Sequence, residues 1–198
     1  MEYRTFVIAT HNQNKVREFQ RILAPLGITV TTPDLTEAEE TGTTFAENAR
    51  IKADSACRET GLPAVADDSG LTVDALNGRP GVYSARYGGP GASDEDRVQM
   101  ILKEMRDVPA GKRGAAFVSA ICCTFPDGSR IEVEGECHGQ ISDSPAGTDG
   151  FGYDPIFLFG TRTFAQMNGE EKDAHSHRGA ALRKFACALE AKSKSEEN

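Results

Sequence analysis

The chain has 198 residues, of which 38% are hydrophobic and 26% are charged, and its net charge is −8. This size and composition suit one globular domain, or one domain with a lobe. The acidic balance and the scattered positions of the cations argue against a nucleic-acid partner. No apolar run is long enough to cross a membrane.

The five cysteines, at positions 57, 122, 123, 137 and 187, form no CxxC pair and no spacing typical of a metal site. Their odd number, and an N-terminus that lacks the basic and apolar regions of a signal peptide, favour reduced thiols. We therefore expect a cytoplasmic protein.

The N-terminal part of the chain predicts a parallel α/β unit. A short apolar run rich in β-formers is followed by apolar residues at helical spacing and then by a second strand-like run. These segments are residues 4–10, 15–26 and 28–33. The β–α–β order is typical of parallel sheets.

The middle of the chain predicts two helices separated by strand-like runs and a loop. The first helix, over 43–61, begins at a capping box of Thr44 and Glu47 and ends at Gly61. The following segments are strand-like runs at 63–68 and 71–76, a glycine-rich loop at 77–93, and a helix that Ser93 caps.

The C-terminal part predicts a hairpin, a strand and a helix. Pro126, Asp127 and Gly128 separate two strand-like runs, which is typical of a β-hairpin. Residues 152–159 predict a strand, and 176–191 predict an amphipathic helix. We expect one α/β domain over residues 1–198, with a second lobe contributed by about residues 93–145.

Residues 10–15, Thr-His-Asn-Gln-Asn-Lys, join the first strand to the first helix. Backbone N–H groups at such a helix start, together with Thr10, Asn12 and Lys15, can bind phosphate oxygens. Ordinary capping of the helix by Asn12 or Asn14 explains the same residues, so both interpretations stay open at this point.

Two adjacent carboxylates, Asp67 and Asp68, lie in a run that resembles a buried strand. Because successive strand residues point to opposite faces, we expect one to face a cleft and the other to be held by backbone donors at a Ser69-Gly70 turn. A second acidic pair ends at Glu40, and one Glu with one Asp suits Mg²⁺. Plain surface acidity is the alternative for the second pair.

Further polar residues can converge on a nucleotide. Asn48 and Lys52 share one face of the second helix, and Lys52 is either a phosphate ligand or a solvated side chain. Phe151 and Tyr153 can stack a flat base or simply pack in the core.

The start of the last helix carries a cationic pair. Ser176 is its expected N-cap, which places His177 and Arg178 in the first turn, where the helix dipole disfavours cations. An anionic ligand would reverse that penalty, and pairing of Arg178 with a surface acid is the alternative.

Five segments of the chain resemble the inosine triphosphate pyrophosphatase family. They are THNQNK (10–15), TFAENARIKA (44–53), ADDSGLTVDALNGRPGVYSARY (66–87), GTDGFGYDPIF (147–157) and SHRGAAL (176–182). The resemblance implies a long, mixed, twisted sheet flanked by helices, with two lobes and an active-site cleft between them. It also implies Mg²⁺-dependent hydrolysis of the deaminated purine nucleotides ITP, dITP and XTP to the monophosphate and pyrophosphate, by a homodimer.

The resemblance also implies roles for particular residues. Asp68 would be a metal ligand and the base that activates water, Glu40 the other metal ligand, and Lys15 a catalytic cation. The substrate-binding residues implied are Thr10, His11, Asn12, Gln13, Asn14, Lys15, Asn48, Lys52, Ser69, Phe151, Gly152, Tyr153, Asp154, Lys172, His177 and Arg178.

Two other functions stay open at this point. One is a pyrophosphatase that removes other modified nucleotides, and the other is a nucleotide sensor without turnover. His11, Asn14 and Asp149 stand where many family members have glycine, which can alter the base preference or the flexibility of the loops.

Overall fold

A computed structural model of the chain describes residues 4–196. Its strands are β1 (Thr5–Ile8), β2 (Thr29–Thr31), β3 (Ala64–Val73), β4 (Gly114–Thr124), β5 (Arg130–Ile141), β6 (Phe157–Phe159) and β7 (Arg162–Thr163). Its α-helices are α1 (Gln13–Leu23), α2 (Phe45–Thr60), α3 (Asp94–Glu104), α4 (Gly169–His175) and α5 (His177–Glu196). Within residues 4–196, no helix has both the length and the apolar character that crossing a membrane requires.

The strands form one seven-stranded sheet in the order β2-β1-β3-β4-β5-β6-β7. Strand β1 pairs in parallel with β2 and with β3. Strand β6 pairs in antiparallel fashion with β5 and with β7. The prediction of a mixed sheet in an α/β fold is therefore confirmed.

The chain divides into two compact units. Among the described residues, the first unit comprises 4–68, 119–135 and 177–196, and the second comprises 69–118 and 136–176. Strands β3, β4 and β5 each contribute residues to both units, because the division falls within each of these strands.

The core of the first unit is built from helices α1 and α5 and the strands they cover. Phe6, Phe19 and Phe185 are fully buried there, and Phe6 meets Phe185 edge to face with ring centroids 5.9 Å apart. Helix α1 begins at Asn12, whose side-chain oxygen accepts hydrogen bonds from the backbone N–H groups of Asn14 and Lys15. Capping and core packing together fix where this helix starts and which face it buries.

The core of the second unit is rich in aromatic rings. Phe117, Phe157 and Phe164 are buried, and the centroids of Phe117 and Phe157 are 4.5 Å apart. Helix α3 begins at the predicted Ser93 cap, in which the Ser93 backbone N–H donates to the Asp96 carboxylate, and the helix buries Ile101.

Several local predictions differ from the structure. The strand-like run at 71–76 is strand only to Val73, and residues 74–76 form a 3₁₀ turn. The predicted strand over 152–159 is wrong for its first half, because residues 154–156 form a 3₁₀ turn and only Phe157–Phe159 are strand. Pro155 accounts for this, since proline has no N–H to donate to a sheet. Helix α4 was not predicted at all; its Asn168 and Glu171 form a capping box that the sequence carries.

The predicted turn at Ser69-Gly70 is also wrong. Strand β3 runs without interruption through both residues to Val73. Gly70 is needed for close packing instead, because a side-chain carbon there would meet the Ser84 hydroxyl and, at 2.6 Å, the Gly81 carbonyl oxygen. The sequence therefore carries a glycine at this point without any turn in the backbone.

Candidate active site

The two adjacent aspartates of β3 have different partners in the first unit. Both are buried, but the Asp68 side chain is 10% exposed and the Asp67 side chain only 1%. Successive residues of a strand point to opposite faces of the sheet. Asp67 and Asp68 therefore enter two separate sets of contacts.

Asp68 is joined to helix α2 and to Glu40 through Lys52. The Lys52 ammonium lies 2.9 Å from Asp68 Oδ1 and 2.7 Å from Glu40 Oε1. Asn48, one turn before Lys52 on the same helix, donates from Nδ2 to Asp68 Oδ2 at 3.2 Å. The predicted shared face of Asn48 and Lys52 is confirmed, and it brings two carboxylates distant in sequence to one cation.

Asp67 is enclosed by cations on its own face. Its Oδ2 lies 2.8 Å from Lys15 Nζ and 3.0 Å from Arg178 Nη2. The other end of the Arg178 guanidinium forms a short ion pair with the buried Glu18. Arg178 therefore pairs with buried acids, not with a surface acid as the alternative interpretation held.

The Asp67 main chain links the two sets of contacts. Its carbonyl oxygen accepts hydrogen bonds from Lys52 at 3.0 Å and from Lys15 at 3.3 Å. The ammonium groups of two lysines, one from α1 and one from α2, thus meet at one backbone oxygen. Each of these lysine side chains is 15% exposed, compared with 1% for the Asp67 side chain.

Burial and pairing shift the pKa values of the two aspartates in opposite directions. Burial raises the pKa of Asp68 above its usual value and the nearby charge of Glu40 adds to the shift, although Lys52 acts against it. Burial would also raise the pKa of Asp67, but Arg178 and Lys15 outweigh it and hold the pKa well below the usual value. Asp68 is thus the more readily protonated of the two.

The two lysines also differ. Burial lowers the pKa of Lys15, and the cations Lys52 and Arg178 lower it further, against the attraction of Asp67. Burial would lower the pKa of Lys52 too, but Asp68 and Glu40 together raise it.

The loop before α1 is more exposed than this cluster. His11, Asn12 and Gln13 are exposed, and Thr10 and Asn14 are half-buried. Asn12 caps the helix, as the capping interpretation predicts, with its oxygen 2.9 Å from the Asn14 nitrogen. Thr10 Oγ1 accepts a hydrogen bond from the Asn12 nitrogen, and Asn14 Oδ1 accepts one from Arg17. The loop lies beside the start of a helix, where anions are favoured.

The second unit holds six further predicted site residues, which are Ser69, Phe151, Gly152, Tyr153, Asp154 and Lys172. The Lys172 ammonium is buried, 2.6 Å from Asp154 Oδ2 and 4.7 Å from the centre of the Phe151 ring. Asp154 also accepts a hydrogen bond from the Phe151 nitrogen at 2.9 Å. Tyr153 is buried and donates its hydroxyl to the Ser84 carbonyl oxygen at 2.8 Å. Ser69, Phe151 and Gly152 are the half-buried members of the set.

Ser176 and His177, predicted at the start of the last helix, lie where α4 ends and α5 begins. Both are buried. Helix α5 starts at His177, as the sequence predicts.

Sequence reasoning missed two residues that shape this cluster. Glu18 is buried one turn after Lys15 on α1 and pairs with Arg178. Ser119 is fully buried in β4 and its hydroxyl donates to Asp67 Oδ1. A charged residue on the apolar face of α1, and a serine inside an apolar strand, are the signals that could have drawn attention to them.

The sequence of this chain matches the model of a known protein family. Residues 6–188, which include both aspartates, Glu40, Lys52 and Arg178, match the model of the Ham1 family. The chain belongs to the Ham1 family. The predicted resemblance is therefore confirmed.

Curated relatives of this Ham1 chain are similar over nearly their whole length. The dITP/XTP pyrophosphatase of Symbiobacterium thermophilum is 51% identical over 185 residues, which cover 92% of this chain and 93% of the relative. The dITP/XTP pyrophosphatase of Geobacter sulfurreducens is 52% identical over 182 residues, covering 89% and 92%.

Solved structures of the Ham1 family agree with the fold. A HAM1 protein from Coxiella burnetii superposes with a TM-score of 0.84 at 41% identity, covering 96% of this chain and 100% of that one. A nucleoside-triphosphatase, named a dITP/XTP pyrophosphatase, from Mycobacterium abscessus gives 0.73 at 45% identity, covering 91% and 98%.

The acidic side of the cluster fits a hard divalent cation. Glu40 and Asp68 already share one cation, the Lys52 ammonium, at 2.7 and 2.9 Å. Within residues 4–196 no group of three or more His, Cys, Asp or Glu side chains is placed to hold a metal. Mg²⁺ suits a site with one or two carboxylates, because it takes its remaining ligands from water and phosphate oxygens.

Proposed function

We propose that this chain hydrolyses the deaminated purine nucleoside triphosphates ITP, dITP and XTP to the monophosphate and pyrophosphate, and so removes deaminated purines from the nucleotide pool. The relatives named dITP/XTP pyrophosphatases, about half identical over nine-tenths of the chain, support this substrate class. One structural observation carries the chemistry. Glu40 and Asp68 converge on Lys52, beside a second lysine, in the first unit.

Asp68 is the proposed general base. Burial keeps its pKa above that of an ordinary aspartate, and a raised pKa makes a carboxylate a better proton acceptor. Asp68 takes a proton from water as the water oxygen bonds to phosphorus, while the P–O bond of the α–β anhydride breaks and pyrophosphate leaves. Asn48, through its hydrogen bond to Asp68 Oδ2, orients the carboxylate for this step.

Lys15 and Lys52 are the proposed phosphate cations. Both side chains are partly exposed, and both ammonium groups donate to the Asp67 carbonyl oxygen. Fixed cations of this kind stabilise the charge that develops on a leaving pyrophosphate. The loop residues Thr10, His11, Asn12, Gln13 and Asn14 would add hydrogen bonds to the phosphates.

Mg²⁺ is the proposed cofactor, with Glu40 and Asp68 as its protein ligands. When bound, the ion would neutralise phosphate charge and polarise the phosphorus centre. The two carboxylates, which already converge on one cation, support this assignment.

The block from Phe151 to Asp154 is proposed to bind the base. Ser69, Lys172, His177 and Arg178 are further residues proposed to support substrate binding, each within its own unit. Phe151 and Gly152 are the half-buried residues of that block and are therefore expected to contact the purine directly. The ion pair of Lys172 with Asp154 holds the backbone of the block in place.

The proposal includes three further points. The protein acts as a homodimer, it acts in the cytoplasm, and residues 1–198 form one functional domain with a lobe from about 93–145. Light scattering after gel filtration would measure the oligomeric state. A monomer at working concentration would remove the dimer from the proposal.

The decisive assay is pyrophosphate release from ITP, XTP, ATP, GTP and UTP, each with and without Mg²⁺. We expect kcat/KM for ITP and XTP to exceed that for ATP by at least about 100-fold, because a site that reads hydrogen bonds at position 6 leaves donors unpaired with adenine. Comparable turnover of ATP and ITP would contradict the base preference. Binding of ITP without cleavage would favour a sensor, and preference for another nucleotide would favour the other house-cleaning activity.

A further inference from the structure

Ser119 is a polar residue in an otherwise apolar part of β4. It is fully buried, and its neighbours Ala120 and Ile121 are core residues of the first unit. Its hydroxyl donates a short hydrogen bond to Oδ1 of Asp67. A buried hydroxyl aimed at a buried carboxylate restricts how that carboxylate can turn, because the terminal torsion of an aspartate is otherwise broad.

The orientation of the Asp67 carboxylate decides where Lys15 is held. With Oδ1 engaged by Ser119, Oδ2 points to Lys15 Nζ at 2.8 Å and to Arg178 Nη2 at 3.0 Å. Arg178 is itself fixed from behind by Glu18. Lys15 is the most exposed member of this chain of contacts, with 15% of its side chain accessible.

We propose that Ser119 is a positioning residue for the Lys15 ammonium: its hydroxyl sets the orientation of Asp67, and Asp67 sets the place at which Lys15 meets the phosphates. This inference rests on the proposed function, in which Lys15 is a phosphate cation. Charged groups that bind a transferring phosphate must be held within about 0.5 Å of their working position by the residues around them. Ser119 is the residue that supplies this support to Asp67 from the strand behind it.

A matched control lies five residues further along the same strand. Thr124 is also buried, and its hydroxyl donates to an aspartate, Asp54 Oδ1, at 2.7 Å. Asp54 pairs with Arg130 near the surface and touches none of the phosphate cations named above. Ser119→Ala and Thr124→Val each remove one buried hydroxyl that donates to a carboxylate.

The test measures binding of inorganic tripolyphosphate by calorimetry in Mg²⁺ buffer and, separately, the kinetics of ITP hydrolysis. We expect Ser119→Ala to raise the Kd for tripolyphosphate about 3- to 10-fold and to lower kcat/KM for ITP by at least the same factor. A tenfold change corresponds to about 1.4 kcal/mol. Thr124→Val should leave both values within about twofold, even if both variants lower the Tm by a similar amount.

A double-mutant cycle shows whether Ser119 acts through Lys15. In a Lys15→Met background, Ser119→Ala should change the Kd for tripolyphosphate by less than about twofold, because the group that it positions is gone. An unchanged Kd in Ser119→Ala alone, an equal loss in Thr124→Val, or a full additional loss in the Lys15→Met background would each overturn the inference.

The two proposals can fail separately. If the wild-type protein cleaves none of the nucleotides, the proposed function is wrong, but the tripolyphosphate comparison still decides the role of Ser119. If the wild-type protein hydrolyses ITP yet binds no tripolyphosphate, the function stands and the positioning role of Ser119 is overturned.

Discussion

The same substitution at two adjacent residues should have opposite consequences. In Asp68→Asn, we expect turnover of ITP to fall by about 10²–10⁴-fold, the range for loss of a general base. The fold should be little affected. Because the folded-state pKa of Asp68 lies above its usual value, the ionised carboxylate at neutral pH costs stability, and Lys52 keeps Glu40 and the Asp67 carbonyl as partners.

Asp67→Asn should instead lower the free energy of unfolding. The Asp67 side chain is 1% exposed, and its depressed pKa means that the ionised form stabilises the fold above the unfolded-state pKa and loses this contribution as the pH falls toward the folded-state value. Removing one partner of a buried ion pair costs about 3–5 kcal/mol. Arg178 retains Glu18, so the lower end applies. For a chain of this length about 3 kcal/mol lowers the Tm by about 6–12 °C.

Thermal unfolding followed by circular dichroism, together with kcat for pyrophosphate release, measures both effects. At neutral pH the Tm of Asp68→Asn should lie within about 4 °C of the wild type. Equal losses of Tm in the two variants would refute the reasoning from their different surroundings. More than a tenth of wild-type kcat in Asp68→Asn would refute its role as the base.

Three further outcomes follow from the same contacts. Thr44→Ala removes the cap of α2 and should cost about 1 kcal/mol, seen as a Tm about 2–4 °C lower; an unchanged Tm would mean that the capping box contributes nothing. Glu40→Gln should lower the pKa of Asp68 in metal-free buffer, because a like charge is lost, and a ¹³C NMR titration that finds no shift would contradict this. Asp154→Asn leaves the buried ammonium of Lys172 without its ion pair and should cost about 3–5 kcal/mol in denaturant unfolding; a loss below about 1 kcal/mol would show that the pair is not stabilising.

Elements marked by a cap and a regular apolar period were predictable. Helix α2 begins and ends within two residues of its predicted bounds, because Thr44 and Gly61 are local signals at its two ends. In β5 the buried residues Ile131, Gly135 and Cys137 alternate with exposed glutamates, a period of two that is visible in the sequence itself. These patterns depend only on neighbours a few positions away along the chain.

Errors arose where one residue type has two structural uses. Gly70 was interpreted as part of a turn, but it lies inside β3, where it makes room for Ser84. The apolar run after Tyr153 was interpreted as strand, but Pro155 confines the strand to its last three residues. In each case the deciding contact or backbone hydrogen bond is not visible in a local pattern.

Short stretches of neighbouring residues were sufficient to predict the class of fold, the starts of α2, α3 and α5, and the family resemblance. The surroundings of the two aspartates depended on the fold. Asp67 is contacted by Lys15 from α1, Arg178 from α5 and Ser119 from β4. Asp68 is contacted by Lys52 from α2, which also pairs with Glu40. Electrostatic energies act through space over a few ångströms, so only the packed chain sets one carboxyl group to stay ionised and its neighbour to accept a proton more readily.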